Sequence, residues 1–504
     1  MLTSFGGSMT QAAPGSGTEH VDVVVVGGGN AGFSAAHAAA ERGRRVLLLE
    51  KGARGQEGGN SFYTAGAVRI THDGLASVAD LLDPDERHAV TELPPYPAEQ
   101  FHADMTKVTS GRNDAALTEV LVAESQDTIR WLHSKGLRYR LMYERQAYPD
   151  DQGRQVFWGG LAVGNTGGGR GLIADHTAAA ARAGVEIRYG VRARDLVRDG
   201  ARVTGLTWTG EDGNEGAVHA DSVILAAGGF EASPELRQEH LGEGWQRAKV
   251  RGTPLNTGDM LTAAIAAGAD TFGDWSTCHS VAWDAWAENN ESNRELTNQL
   301  TRGGYPLGIV VNKRGERFVD EGADFRNYTY AVYGSRILAQ PEGLAFQVFD
   351  AQTRPKLRTE EYDMPGASVV TADTLDELAA GMGVDAEALA RTVREFNKSI
   401  DPDVPLDIAV QDGRAAHVDP PKSNWAIPLE RAPFYAFPVT CGITFTFGGL
   451  RADTHGRVLD ASGAAIPGLF VCGEMLGGLF SGNYPGGTGL TSGAVFGRRA
   501  GTLA

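Results

Sequence analysis

The first stretch with a regular hydrophobic pattern is VDVVVVGGGNAGFSAAHAAAERGRRVLLLE, Val21 to Glu50. A valine run, a triple glycine, an alanine-rich segment and a leucine run closing on one acid predict a buried strand, a tight turn, a helix and a second buried strand. From about Pro97 to Gly136 the apolar residues Leu117, Val120, Leu121, Ile129 and Leu132 recur at helical steps. Next, GNTGGGRGLIADHTAAAARAGVEIRYGVRARDLVRDGARVTGLTW predicts a glycine loop, a helix, a strand and a β-hairpin, and VHADSVILAAGGF an apolar strand ending in Gly228 and Gly229. Asp385 to Ile400 has the spacing of an amphipathic helix. The last forty residues predict an apolar strand running into Gly473 and Glu474, a second glycine loop and a helix.

The opening pattern is that of a dinucleotide site. Gly27 permits the tight turn, Gly29 lets the backbone approach a pyrophosphate, and Gly32 lets the helix pack close to the strand. Asn30 and Ala31 open the helix, whose N-terminus faces the anion. Glu50, followed by Lys51, is placed to accept from ribose hydroxyls. This half-site serves FAD and NAD alike. The adjoining loop favours FAD: it carries Gly58, Gly59, Asn60, Ser61, Thr64, Ala65 and Gly66, small residues that let backbone amides meet a flat ring, where an NAD domain would place its next helix and strand. The closing segment, with Gly473, Glu474, Gly487, Thr488, Gly489 and Leu490, returns to the same site, as in FAD proteins that carry inserted domains. The backbone near Ala193 is a candidate adenine contact, although ordinary β-meander packing accounts for it equally well.

Composition narrows the partners. With 46 Lys and Arg against 63 Asp and Glu, the net charge of −17 argues against nucleic acid or an anionic membrane surface. Cys278, Cys441 and Cys472 form no CxxC, so no iron–sulfur, c-type haem or zinc signature is present. Residues 1–19 lack the basic start and apolar run of a signal peptide and read as a disordered leader on a cytoplasmic protein. No apolar run is long enough to span a bilayer. Near residue 274 the chain turns richer in Trp, Asn and charge. The expected organisation is an α/β, Rossmann-like FAD-binding domain over 20–273 and 447–504 with an inserted α+β capping domain, 274–446, and ligands between them.

Together GGGNAG, EGGNSFYTAGA, TGGGRGL, ILAAGGFE, GIVVNKRGERFVDEGADFRN and GLFVCGEMLGG…YPGGTGL resemble the fumarate reductase and succinate dehydrogenase flavoprotein family, most closely its tricarballylate dehydrogenase-like branch. A more distant similarity to 3-ketosteroid dehydrogenases runs through Tyr484, Pro485 and Gly486. The resemblance implies oxidation or reduction of a carbon–carbon bond on FAD. It makes Arg326 the proton-transferring residue, assisted by Glu321 or Asp324 because an arginine does not readily release its own proton, and His279 a ligand of a substrate carboxylate. It also exposes two departures, Phe445 and Tyr484, at positions where fumarate reductases keep a histidine and an arginine. Losing those donors disfavours fumarate and succinate, and Tyr484 offers a phenol able to polarise a carbonyl or move a proton. The loop at residues 58–62 lacks the histidine of covalently flavinylated members, so FAD is expected to be non-covalent.

Each residue has a packing alternative: His279 among Trp275 and Trp283, Arg326 paired with Glu321 or Asp320, Tyr484 as a wall of the flavin pocket. Arg302 is a further candidate carboxylate ligand. The expected function is an FAD-dependent dehydrogenase or reductase of a tricarballylate-like polycarboxylate, the alternatives being a ketosteroid-type enone oxidoreductase and a non-catalytic electron-transfer subunit. A redox protein, a quinone or oxygen would exchange the electrons.

Overall fold

The structure is a computed structural model that describes residues 19–150, 152–157, 159–287 and 293–504. The first strand, Glu19–Val26, includes Glu19, the last residue of the leader expected over 1–19, and residues 1–18 lie outside the described residues.

Two sheets organise the chain. In the first, five strands run parallel in the order Glu186–Tyr189, Val46–Glu50, Glu19–Val26, Glu215–Leu225 and Ala465–Val471. The hairpin Val191–Asp199 and Arg202–Gly210 adds antiparallel strands to Glu215–Leu225. The valine and leucine runs take the centre because both of their faces are covered: Val23, Val24, Val25, Leu47 and Leu48 are completely buried. Helix Asn30–Glu41 packs on this sheet, and the closing helix Thr488–Leu503 lies along it. That approach depends on glycine, since a Cβ at Gly497 would stand 2.5 Å from the Ala31 carbonyl oxygen and one at Gly501 would stand 2.1 Å from that of Ala35.

The second sheet has the order Lys249–Val250, Phe434–Thr446, Ala345–Phe349 and Ile309–Asn312, with Cys278–Asp284 and Val370–Ala372 also paired to Phe434–Thr446. Helices Leu375–Met382 and Ala386–Lys398 share a core with it through Leu378, Leu389, Val393 and Phe396. Helix Arg326–Leu338 packs on it through Tyr333 and Ile337. One strand of this sheet, Lys249–Val250, lies before the boundary read near residue 274.

The helical stretch read between residues 97 and 136 is two helices, Ala98–Thr109 and Ala115–Ser134. Ser110 adopts a left-handed φ of 54°, ending the first, and Asp114 starts the second by accepting from the Leu117 amide at 2.8 Å. Three-stranded sheets flank them, and Ile70, Ile129, Leu132 and Tyr139 make a separate core that the periodicity did not reveal.

Candidate active site

A cleft runs from the carboxyl ends of the parallel strands to the second sheet. At its first end the backbone turns at Gly27, whose φ of 106° and whose hypothetical Cβ, 2.3 Å from the Ala226 carbonyl oxygen, exclude any side chain. Gly29, Asn30 and Ala31 line the cleft, and the Asn30 amide donates to Ser61 Oγ at 3.0 Å. Glu50 also lines it, and its carboxylate already accepts from the amides of Gly28 at 2.8 Å and Gly52 at 2.6 Å. Burial raises its pKa against the backbone bonds from Gly52, Gly28 and Gly58, which leave one of its four lone pairs for a further donor.

Lys51 is engaged with the protein: its ammonium donates to the Leu255 carbonyl, Thr257 and Asp259, fastening one loop to the cleft wall. Asn60 joins the two sheets, donating to Glu231 at 2.6 Å and to the Thr444 carbonyl while accepting from the Thr253 amide at 2.7 Å. Thr64 donates to the Ser61 carbonyl and accepts from the Gly66 amide. Gly59, Ala65, Ala193, Gly228, Gly473, Glu474, Gly487, Gly489 and Leu490 line the cleft as well.

Five residues read as cofactor contacts stand behind this lining. Gly32 lies beneath the turn, with room for no Cβ against the Gly27 carbonyl. Gly58 faces Ile173 and Gly66 faces Gly168. Gly229 is wedged between Glu474 and Thr446, and the Thr488 hydroxyl donates to the Pro485 carbonyl at 2.6 Å. They shape the loops that others present to the cleft.

The site fits a dinucleotide on geometric grounds. Helices Asn30–Glu41 and Thr488–Leu503 both begin at the cleft after glycines, Gly29 and Gly487, which supply no capping side chain, and Ser61 takes the Asn30 amide of the first. The remaining amides and the positive end of the helix dipole suit an anion or a ring carbonyl.

The other end has two chemically distinct walls. One is aromatic: His279 meets Tyr484, Tyr330 and Phe445 at ring-centroid distances of 4.8, 5.0 and 5.4 Å, with Phe447 and Phe480 behind Phe445. These rings, rather than Trp275 and Trp283, surround the histidine. The Tyr484 and Tyr330 hydroxyls are 2.5 Å apart. Burial, together with the neighbouring Tyr330 phenol, pushes the Tyr484 pKa well up, so it stays protonated. Burial and the nearby Arg251 cation push His279 well below its ordinary value of 6.5, leaving it neutral, and neither ring nitrogen has a partner among the described residues.

The second wall is cationic. Arg326 donates to Glu361 at 3.0 Å, and Glu361 also takes Arg145 at 3.1 Å and the Gly303 amide at 3.0 Å. Burial opposes a charge on Glu361, yet Arg326, Arg145 and Arg358 around it hold its pKa down to about 2. Burial likewise works against the Arg326 charge, and Glu361 reverses the effect, so the guanidinium stays protonated. The partners read from sequence are elsewhere: Glu321 pairs with Arg317 at 2.5 Å and Asp324 with Lys107. Arg302 is not in the cleft either, being a fully buried ion pair with Asp284 at 2.5 Å.

Arg326, Tyr484 and His279 thus converge on one cleft from three distant segments. Sequence reasoning missed Tyr330, Arg251, Asn298, Thr301 and Glu361. Tyr330 was within reach, since it follows Arg326 by four residues and shares its helix face. Glu361 sits on the short helix Thr359–Tyr362, with no motif to mark it.

A parallel nucleotide-binding sheet, two helix starts at glycines and a cleft closed by a second sheet define the class: a mixed α/β FAD-dependent oxidoreductase. The FAD binding domain family matches residues 22–490. The cytochrome fumarate reductase of Shewanella frigidimarina is 30% identical over 491 residues, 95% of this chain and 76% of that one. A urocanate reductase of Eggerthella lenta is 29% identical over 98% of this chain and 76% of its own. Among solved structures, the open conformation of a flavocytochrome c3 fumarate reductase superposes with a TM-score of 0.72 at 26% identity, covering 97% of this chain and 78% of that one. The chain belongs to the fumarate reductase and succinate dehydrogenase flavoprotein family, whose members here are named reductases of carbon–carbon double bonds.

Proposed function

We propose that this FAD-dependent oxidoreductase adds or removes hydrogen across a carbon–carbon bond conjugated to a carboxylate or carbonyl, with Tyr484 moving the proton and Arg326 holding charge. FAD, when bound, supplies the hydride chemistry. The observation that carries the reading is the 2.5 Å contact between the Tyr484 and Tyr330 hydroxyls in the same cleft as Arg326 and the nucleotide loops. A phenol kept protonated by burial donates a proton to a carbon or a hydrogen bond to a carbonyl. Tyr330 orients that hydroxyl from the same helix that presents Arg326. A permanently protonated arginine paired with Glu361 stabilises negative charge better than it shuttles protons. The neutral His279 is a hydrogen-bond donor for a substrate oxygen.

The aromatic wall weighs against the tricarballylate-like acid favoured by the sequence. Three carboxylates would need three sets of donors, and rings of Phe445, Phe447 and Phe480 occupy much of the cleft end. An unsaturated acid or conjugated carbonyl with an apolar body fits better, and the paired tyrosines favour an enone of ketosteroid type as the second reading.

FAD is proposed to be non-covalent, since residues 58–66 hold no histidine, and electrons are exchanged with a separate donor or acceptor. We likewise propose the first sheet as FAD domain and the second as cap. The test is anaerobic: polycarboxylates, ring-bearing unsaturated acids, enones and steroids, with their saturated forms, are mixed with oxidised or reduced holoprotein. Conjugated acids or carbonyls should reoxidise the flavin, or their saturated forms bleach it. Redox exchange with none of them would overturn the proposal.

A further inference from the structure

The cleft contains a cation that neither the motifs nor the proton-moving residues account for. Arg251 is 9% exposed and lines the cleft directly after the edge strand Lys249–Val250. Its Nε donates to Thr301 Oγ1 and its Nη1 to Thr444 Oγ1, both at 3.0 Å. Among the described residues no carboxylate is bonded to it or within ion-pair distance, whereas Arg326 and Arg302 each have one. A guanidinium carries five N–H donors, so two neutral hydroxyls leave most of its capacity and all of its charge unanswered. Burial accordingly presses on the charged form of Arg251, a cost that a bound anion would relieve.

A second observation points to a ligand at the same place. Asn298 is 5% exposed, lines the cleft, and its Nδ2 has no partner among the described residues. It belongs to the turn that buttresses Arg251, because the Thr301 amide donates to its carbonyl at 3.1 Å. Thr444, the other buttress, is the chain neighbour of Phe445, and through it the clamp adjoins the rings of His279 and Tyr484. The surroundings are therefore asymmetric, with an unpaired cation and an unpaired amide at one point and apolar rings beside it.

We infer that Arg251 and Asn298, buttressed by Thr301 and Thr444, form the anchor for a substrate carboxylate, and that the substrate is a monocarboxylic acid whose remainder is a flat apolar ring packed against Phe445 and Tyr484. The inference rests on the proposed reaction for its substrate but not on turnover. A second carboxylate on the side of the rings would be driven against phenylalanine faces, which disfavours a small dicarboxylate. The rival occupant of Arg251 is a carbonyl of the flavin ring.

Equilibrium binding to the oxidised holoprotein, read from perturbation of the flavin absorption band, tests this with three probes: cinnamate, its uncharged isostere cinnamamide, and fumarate. Cinnamate should bind at least about 10-fold more tightly than cinnamamide, the effect of one charge-assisted carboxylate contact, and more tightly than fumarate. Arg251→Met should remove the preference for cinnamate while leaving cinnamamide affinity and FAD content unchanged, and Arg251→Lys should restore part of it. Should the methionine variant fail to fold, Thr444→Val, which deletes one buttress, should narrow the preference several-fold. Equal binding of cinnamate and cinnamamide by the unmodified protein, no cinnamate binding at millimolar concentration, or an unchanged preference in Arg251→Met would overturn the inference. So would a shifted flavin midpoint potential with the preference intact, which assigns Arg251 to the flavin. None of these outcomes bears on redox exchange with a conjugated substrate, whose absence alone would sink the proposed reaction.

Discussion

Replacing Glu361 with Gln keeps the shape of a side chain around which three guanidinium groups, Arg326, Arg145 and Arg358, are arranged. The substitution removes the single buried negative charge they share and leaves Glu360, which binds Arg145 alone at 2.6 Å, as the remaining anion. Removing one partner from a buried ion pair costs about 3 to 5 kcal/mol because the other charge is left uncompensated. With an unfolding entropy of roughly 2.1 cal/mol/K per residue, a chain of this size loses about 1.1 kcal/mol per kelvin, so the melting temperature should fall by about 3 to 5 °C. The pH dependence fixes the cause. Glu361 titrates at about 2 when folded, against an ordinary 4.5, so its contribution is fully present above pH 4.5 and disappears as pH falls through about 2. Differential scanning calorimetry of both proteins from pH 7 downward should show the gap closing between those values. A gap below about 1 °C at pH 7, or one that does not narrow in acid, would refute the assignment of Glu361 as the charge that holds Arg326.

Acid or heat denaturation should release FAD into solution, and flavin retained on precipitated protein would show a covalent bond. Tyr484→Phe should keep FAD and slow substrate-dependent flavin reduction or reoxidation by at least about 100-fold in stopped-flow traces, the range for a lost acid–base group; an unimpaired variant would hand proton transfer to Arg326. His37 and His72 titrate at about 4, and His176 and His279 well below 6.5. At these imidazoles the unfolded chain therefore binds more protons than the folded one below pH 6.5, whereas the buried Glu50, Glu231 and Glu474, with raised pKa values, act in the opposite sense, so the urea midpoint should fall more steeply from pH 6.5 toward 4 in the unmodified protein than in a His72→Gln variant. Identical pH slopes in the two would contradict the burial of that imidazole.

The nucleotide half of the molecule was readable because its signals are local: the valine run, the glycine turn and Glu50 lie within thirty residues, and each obeys a rule of strand, turn or helix start. The substrate half was readable only as points. Arg326, His279 and Tyr484 could be named from motifs, but what each touches depends on side chains from far along the chain. Glu361, itself paired with Arg145, fixes Arg326, while Glu321 and Asp324, near it in sequence, turn to Arg317 and Lys107. Both precede the helix that begins at Arg326, so nearness in sequence gives neither a place on its face. Arg302 was misread for a related reason, as nothing local to LTRGGYP announces Asp284 as its buried partner. Arg251 was invisible because an unpaired buried cation is defined by what does not surround it.

The glycine-lined contact between the helices Asn30–Glu41 and Thr488–Leu503 bears on synthesis as well as on the finished molecule. The first helix emerges from the ribosome some 450 residues before its partner, a delay of about 20 to 90 s at usual elongation rates. Throughout that interval the face carrying Ala31 and Ala35 has no native cover, and the wall of the cleft that Gly487, Gly489 and Leu490 supply does not exist. The complete cleft therefore forms only after translation of these last residues, and until then the first sheet lacks its strand Ala465–Val471. Cells making the protein quickly should accumulate soluble product in proportion to the chaperones that shield that helix face, and flavin supply would govern how much of the completed chain becomes locked in its final form.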